Sequence, residues 1–190
     1  MSVAAIHSDH PGFLTVYPCG GVTPLVATVN HGPREVVAGT AYVPVGDDGT
    51  ICVYSLNPVD VIVDLTGTFS STGELVFQPV EPTRMLDTRV GIGGWSPIHG
   101  PDQTLDVRVA PSDARAVSGT LTLVTPTRPG FLTAWGCGTR PPTSNLNAET
   151  GQILANSVTT GVSDSGRLCI RSHSPTSTLF DANGWWVPAG

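Results

Sequence analysis

The chain has 190 residues, 22 of them glycine and 17 proline, a density of turn formers that leaves little room for helix and points to a strand-rich protein. All nine basic residues are arginine and the net charge is −6, so the chain lacks the clustered positive charge that grips a nucleic-acid backbone. No stretch approaches the roughly 18 apolar residues of a membrane-spanning helix.

Met1-Ser-Val-Ala-Ala-Ile6 has neither the basic start nor the apolar run of a signal peptide, and Val3–Ile6 reads instead as a first strand. Further β-rich runs follow at Phe13–Tyr17, Leu25–Val29, Val36–Val43, Thr50–Tyr54 and Val61–Leu65, separated by Pro, Gly, Asp and Asn. Gly46-Asp-Asp-Gly49 lies between two of these runs and reads as a hairpin turn, with Asp-Gly supplying the positive φ that a tight turn needs. Val61-Ile62-Val63 is continuously apolar, which predicts a strand buried on both faces. Leu75–Phe77, Arg84–Thr88 and Leu105–Ala110 predict three more strands. Leu105-Asp-Val-Arg-Val109 alternates apolar and polar residues, as a strand with one buried face does. Between them, Val90–Gly100 is rich in glycine and carries Trp95, which predicts a long surface loop.

The chain then repeats itself. Pro129–Gly138 reads PGFLTAWGCG where Pro11–Gly20 reads PGFLTVYPCG. Carried outward, the match pairs Pro24 with Pro142 and, after one extra residue in the first copy, Asn30 with Asn147 and Ala38 with Ala155. Gly49 then meets Gly166, Cys52 meets Cys169, Pro58 meets Pro175, Asp64 meets Asp181 and Gly67 meets Gly184. Carried backward, Val3–Ile6 aligns with Leu121–Val124. The expected organisation is a first β unit at residues 1–69, a connector at 70–118 and a second β unit at 119–190. The fold class this implies is all-β, with two homologous antiparallel units, sandwich-like or barrel-like, packed as a pair.

Four cysteines allow three pairings, and the repeat selects among them. Cys19 with Cys52 and Cys137 with Cys169 give each unit a bridge of its own. In the chain-entropy picture, closing loops of this length stabilises each unit by roughly 3–4 kcal/mol. The close C-x₂₋₄-C spacing of zinc sites does not occur, so no metal and no cofactor are expected. Disulfides imply work in an oxidising compartment.

Glu81-Pro-Thr-Arg-Met-Leu-Asp-Thr-Arg89, followed by GFLTAWGCG, by Thr143-Ser-Asn-Leu-Asn147 and by Phe180-Asp-Ala-Asn-Gly-Trp-Trp186, resembles a repeat module of actinobacterial extracellular proteins. The module's pattern is similar to PTRLLDTR, GFLTVYPCG, SNLN and DVxGYF. It accompanies secreted cell-wall hydrolases and proteases, and similar modules occur in actinobacteriophage virion proteins. The resemblance covers most of the chain and implies a non-catalytic surface module. The chain departs from the pattern in two respects: the first unit has Thr28 and Gly39 where the second has Asn145 and Asn156, and it has no PTR-type connector of its own.

Candidate site residues follow from residue type and repeat position. Arg84, Asp87 and Arg89 read as a structural ion pair, planar guanidinium against carboxylate. Asp64 and Asp181, each before a glycine, read as turn caps. The five histidines fall at unrelated places in the two copies, which excludes a metal or catalytic role repeated in both, and no nucleophile-elbow motif occurs. Aromatics are the stronger lead for binding. Tyr17 and Trp135 are equivalent and read as core, whereas Trp95 and Trp185 are expected on the surface. Asn145 and Asn147 join Trp95, Trp135 and Trp185 as possible binding residues, with the reservation that the first copy has Thr28 where the second has Asn145, and Gly39 where it has Asn156.

Two functions fit these features. The first is a virion structural protein, a capsid decoration, tail or fibre component, released by lysis without an export signal and contacting other capsid or tail subunits or further copies of itself. The second is a carbohydrate- or cell-envelope-binding module of a secreted hydrolase. In either case the expected location is the virion surface or the extracellular space, with no nucleic-acid partner and no membrane insertion.

Overall fold

The computed structural model describes residues 1–95 and 98–189. Among them every strand pairing is antiparallel, and no helix is long and apolar enough to cross a membrane. The chain divides into two compact units, Met1–Gly67 and Thr68–Gly190.

The first unit contains β1 (Ser2–Ile6), β2 (Gly12–Pro18), β3 (Val29–His31), β4 (Val36–Thr40), β5 (Ile51–Ser55) and β6 (Asp60–Asp64). They form two three-stranded sheets, β4-β1-β6 and β3-β2-β5. Val3, Ala5, Leu14, Val16, Val29 and Ala41 make its core. The second unit contains β7 (Leu75–Asp87), β8 (Thr104–Arg108), β9 (Ala116–Val124), β10 (Gly130–Trp135), β11 (Leu146–Ala148), β12 (Ile153–Gly161), β13 (Arg167–Ser172) and β14 (Ser177–Pro188). Its sheets are four-stranded, β12-β9-β14-β7 and β11-β10-β13-β8.

The internal repeat survives in the hydrogen-bond register. Ala4 faces Ala38 in β1–β4, and the equivalent Thr122 faces Ala155 in β9–β12. Val3 faces Val63, as Leu121 faces Phe180. Tyr17 faces Cys52, as Trp135 faces Cys169. Each unit closes its own disulfide, Cys19–Cys52 and Cys137–Cys169. The predicted hairpin turn is present twice. Gly49 (φ 82°) donates to the Gly46 carbonyl at 2.9 Å, and Gly166 (φ 71°) donates to that of Ser163 at 2.8 Å.

The connector is not a separate piece. Its strands β7 and β8 are the outer strands of the second unit's two sheets, paired with β14 and β13. Leu86, Leu105, Val107, Val109, Ala110, Ala114 and Val117 from the connector sit in the same core as Leu121, Leu132, Leu168, Ile170 and Phe180. The physical reason is the alternation of Leu105–Val109, which buries Leu105 and Val107 and leaves Thr104, Asp106 and Arg108 exposed.

Four local expectations need correction. Val61-Ile62-Val63 is exposed, not buried on both faces, because β6 is an edge strand with no neighbour beyond it. The expected strands Leu75–Phe77 and Arg84–Thr88 are parts of one strand, β7, which ends at Asp87 and tolerates Pro79 and Pro82 as an edge strand. Its register against β14 shifts between Phe180 and Asp181 and again between Ala182 and Gly184. The run at Leu25–Val29 is mostly loop, with Leu25 fully exposed. Side chains serve the backbone there: Thr15 Oγ1 donates to the Val26 carbonyl, and Thr28 Oγ1 accepts from Val16 N at 3.0 Å. Finally, the glycine-rich loop is only partly at the surface. Val90, Ile92 and Ile98 are exposed, but His99 is buried, and Ser96 and Pro97 lie outside the described residues.

Candidate interaction surface

Arg84 and Asp181 face each other across β7 and β14. The pair is bidentate: Nε donates to Asp181 Oδ1 at 2.8 Å and Nη2 to Oδ2 at 3.0 Å. Nη1 of the same arginine reaches Asp87 at 3.2 Å. Asp87 also accepts from the Arg89 amide at 3.0 Å, from its Nε at 2.9 Å and from its Nη2 at 2.7 Å. These donors, Arg89 first, hold the Asp87 carboxyl down to about 2 although the side chain is buried. The PTRMLDTR motif thus forms a salt-bridged clamp between the connector and the repeat. Asp181 belongs to this clamp from within a strand, so it is not a turn cap.

Three further polar links reach connector residues. Arg167 Nε donates to Asp106 Oδ1 at 2.6 Å, joining β13 to β8. The Trp185 indole N–H donates to the Val109 carbonyl at 3.0 Å, and that of Trp95 to the Asp106 carbonyl at 3.3 Å. Both indoles are half-buried against the core, which corrects the expectation that they are exposed. Amphipathic rings with a single donor reach a carbonyl when one is near, and residue type alone does not show where that carbonyl lies.

Trp135 is buried, with its N–H on the Gly138 carbonyl at 2.9 Å. Its counterpart Tyr17 is half-buried and accepts from Thr23 at 3.0 Å. Asn145 Oδ1 accepts from Ala134 N at 2.7 Å, the same bond that Thr28 makes with Val16 N in the first unit. The two residues differ in type and share one task. Asn156 donates to the Asn145 carbonyl at 2.8 Å, a bond for which Gly39 has no side chain. Asn147 is half-buried in β11, opposite Phe131.

Of the histidines, His99 has a structural role. Its Nε2 lies 2.7 Å from the Gln103 carbonyl and therefore donates, which leaves Nδ1 to accept from Thr178 Oγ1 at 3.1 Å. Burial lowers its pKa from the ordinary value. Asp106, Cys137 and Cys169 lie within 4.8 Å of one another, but both sulfurs are committed to the disulfide, so they do not form a metal centre.

Several large apolar side chains also stay open to solvent. In the second unit, exposed Phe69 and Phe77 flank Trp186 with ring centroids 5.4 and 5.0 Å away. In the first unit, Val61, Ile62 and Val63 of β6 and Leu65 just after it are exposed. Phe69 and Trp186 hold equivalent places in the repeat, whereas Phe77 carries no sequence signal beyond its place in a short apolar run. No family model, curated protein or solved structure matches the chain.

Proposed function

We propose that this chain is a non-catalytic structural and interaction protein that works in an oxidising setting outside the cytosol, as a surface component of an actinobacteriophage virion (capsid decoration, tail or fibre). The observation that carries the interaction reading is the open edge of β6, the outer strand of its sheet, with Val61, Ile62 and Val63 exposed. An uncovered strand edge with exposed apolar side chains is a place where another chain can sit. The candidate chemistry-bearing side chains Arg84, Asp87, Arg89 and Asp181 are engaged in holding strands together. One disulfide in each unit supports the oxidising setting. The virion setting rests on the resemblance of the PTR and GFLT motifs to modules of such proteins. Mass spectrometry of gradient-purified particles tests it. The chain is expected at fixed stoichiometry with capsid or tail proteins, and its absence from washed particles refutes the virion setting.

A second reading, a carbohydrate- or envelope-binding module, is favoured by the Phe69–Trp186–Phe77 cluster, since exposed rings stack on sugar faces. Pull-down on purified actinobacterial cell walls separates the two. Retention that Phe77→Ala abolishes supports the glycan reading, and no retention refutes it.

A further inference from the structure

The two units share strand order and register but not their outer edges. In the second unit β14 is covered by β7, and Thr178, Leu179 and Phe180 are 0%, 5% and 0% exposed. The equivalent residues of β6 in the first unit, Val61, Ile62 and Val63, are 38%, 52% and 41% exposed. No strand of the first unit lies beyond β6. The edges also differ in protection. β7 carries Pro79 and Pro82, which blunt the second unit's own outer edge. Asp60-Val-Ile-Val-Asp64 has no proline, and the chain has no lysine to serve instead.

Charge adds a second, independent mark. Asp64 sits opposite Ser2 as Asp181 sits opposite Thr120, at the same register of the repeat. Asp181 holds Arg84. Among the described residues no arginine pairs with Asp64; the first unit's ion pair is Arg34 with Asp9.

We infer that β6 is an acceptor edge for a connector-type strand supplied by another polypeptide. The fitting partner is an extended segment with an arginine and, two and three residues on, an aliphatic residue and an aspartate. It would run antiparallel to β6, with the arginine on Asp64 and the aliphatic residue over Val63. This strand addition would give the first unit the four-stranded order of the second. The inference is confined to β6. At the β5 edge Thr50 stands where the second unit has Arg167, so the salt link that ties β8 to β13 has no counterpart. A second copy of this chain is a poor occupant. Its β7 is already paired, and antiparallel β6–β6 pairing centred on Ile62 would set Asp60 against Asp64 of the other copy, like charge against like.

This inference rests on the reading of the chain as an interaction protein, not on a virion setting. The test is a titration of the isotope-labelled full chain with a synthetic peptide of residues 75–89, followed by amide resonances. Saturable shifts in residues 60–64 are expected, weakened about tenfold by Asp64→Asn or by Arg84→Gln in the peptide, the loss of one charge-assisted pair. A free peptide must be ordered on binding. A second protein therefore carries a copy of residues 70–118 fused ahead of Met1, as that segment precedes Gly119, the equivalent of Met1. Amide exchange at 60–64 should slow at least about tenfold in the fusion, with Asp64→Asn reversing part of the gain. Either result, with its Asp64 dependence, supports the acceptor edge. The inference is overturned if neither peptide nor fusion protects 60–64, if Asp64→Asn changes nothing, or if the free chain self-associates through 60–64. Failure here leaves a positive particle assay standing, and absence from particles leaves a positive titration standing.

Discussion

Replacing Asp87 with asparagine isolates the clamp that joins the connector to the second unit. The carboxylate is 3% exposed and accepts from two guanidinium groups and one amide. Its fall from the ordinary 3.8 to about 2 corresponds to roughly 2.5 kcal/mol at most. Arg84 and Arg89 are 39% and 46% exposed, and solvent screening brings the expected value to about 1–1.5 kcal/mol. The folded pKa is depressed, so this stabilisation is fully present above the unfolded value and is lost as pH falls through about 2. All four tryptophans, Trp95, Trp135, Trp185 and Trp186, lie in Thr68–Gly190, and all three tyrosines, Tyr17, Tyr42 and Tyr54, lie in Met1–Gly67. Indole fluorescence in a urea titration therefore reads the clamp's unit, and tyrosine absorbance serves as the control. Asp87→Asn should lose about 1–1.5 kcal/mol at pH 7 and only a small fraction of that near pH 2. An equal deficit at both pH values, or none at pH 7, would refute the electrostatic account.

Three further outcomes follow from the same geometry. Removing the first bridge with Cys19→Ala and Cys52→Ala should cost about 3–4 kcal/mol, seen as a drop in the tyrosine-reported midpoint larger than any in the tryptophan signal. Gly166→Ala should be far more damaging than Gly49→Ala. Both glycines have positive φ, but a Cβ at Gly166 would press on the Ala110 carbonyl oxygen while one at Gly49 meets open space, so about 1 kcal/mol is expected at Gly49 and 3 kcal/mol or more at Gly166. His99 is buried and neutral, with a pKa below its ordinary 6.5. Its stabilisation is present above that value and declines as pH falls toward the folded pKa, and His99→Gln should flatten the tryptophan-monitored stability profile below pH 6.5.

Much of the fold was legible because the chain states it twice. The matched cysteines specified both bridges, and Asp48-Gly49 marked one hairpin turn, which the match of Gly49 to Gly166 carried to the other. The alternation of Leu105–Val109 gave a half-buried strand. What the sequence concealed was which strands have neighbours. Val61-Ile62-Val63 looks like an interior strand because apolar content does not distinguish a covered edge from an open one. Pro79 and Pro82 looked like breaks because a local reading cannot see that their strand is the outermost. The equivalence of Thr28 and Asn145 was hidden for a similar reason, since a hydroxyl and a carboxamide can accept the same backbone bond. Trp95 and Trp185 were misplaced because the carbonyls they bond belong to the connector, far from them in sequence or unmarked by residue type.

The central claim is that the connector completes the second unit and leaves the equivalent edge of the first uncovered. Native-state amide exchange on the unmodified protein tests it most directly, by comparing residues 60–64 with residues 177–181. Exchange at least about tenfold faster at 60–64 is predicted. Equal protection of the two stretches would contradict the claim.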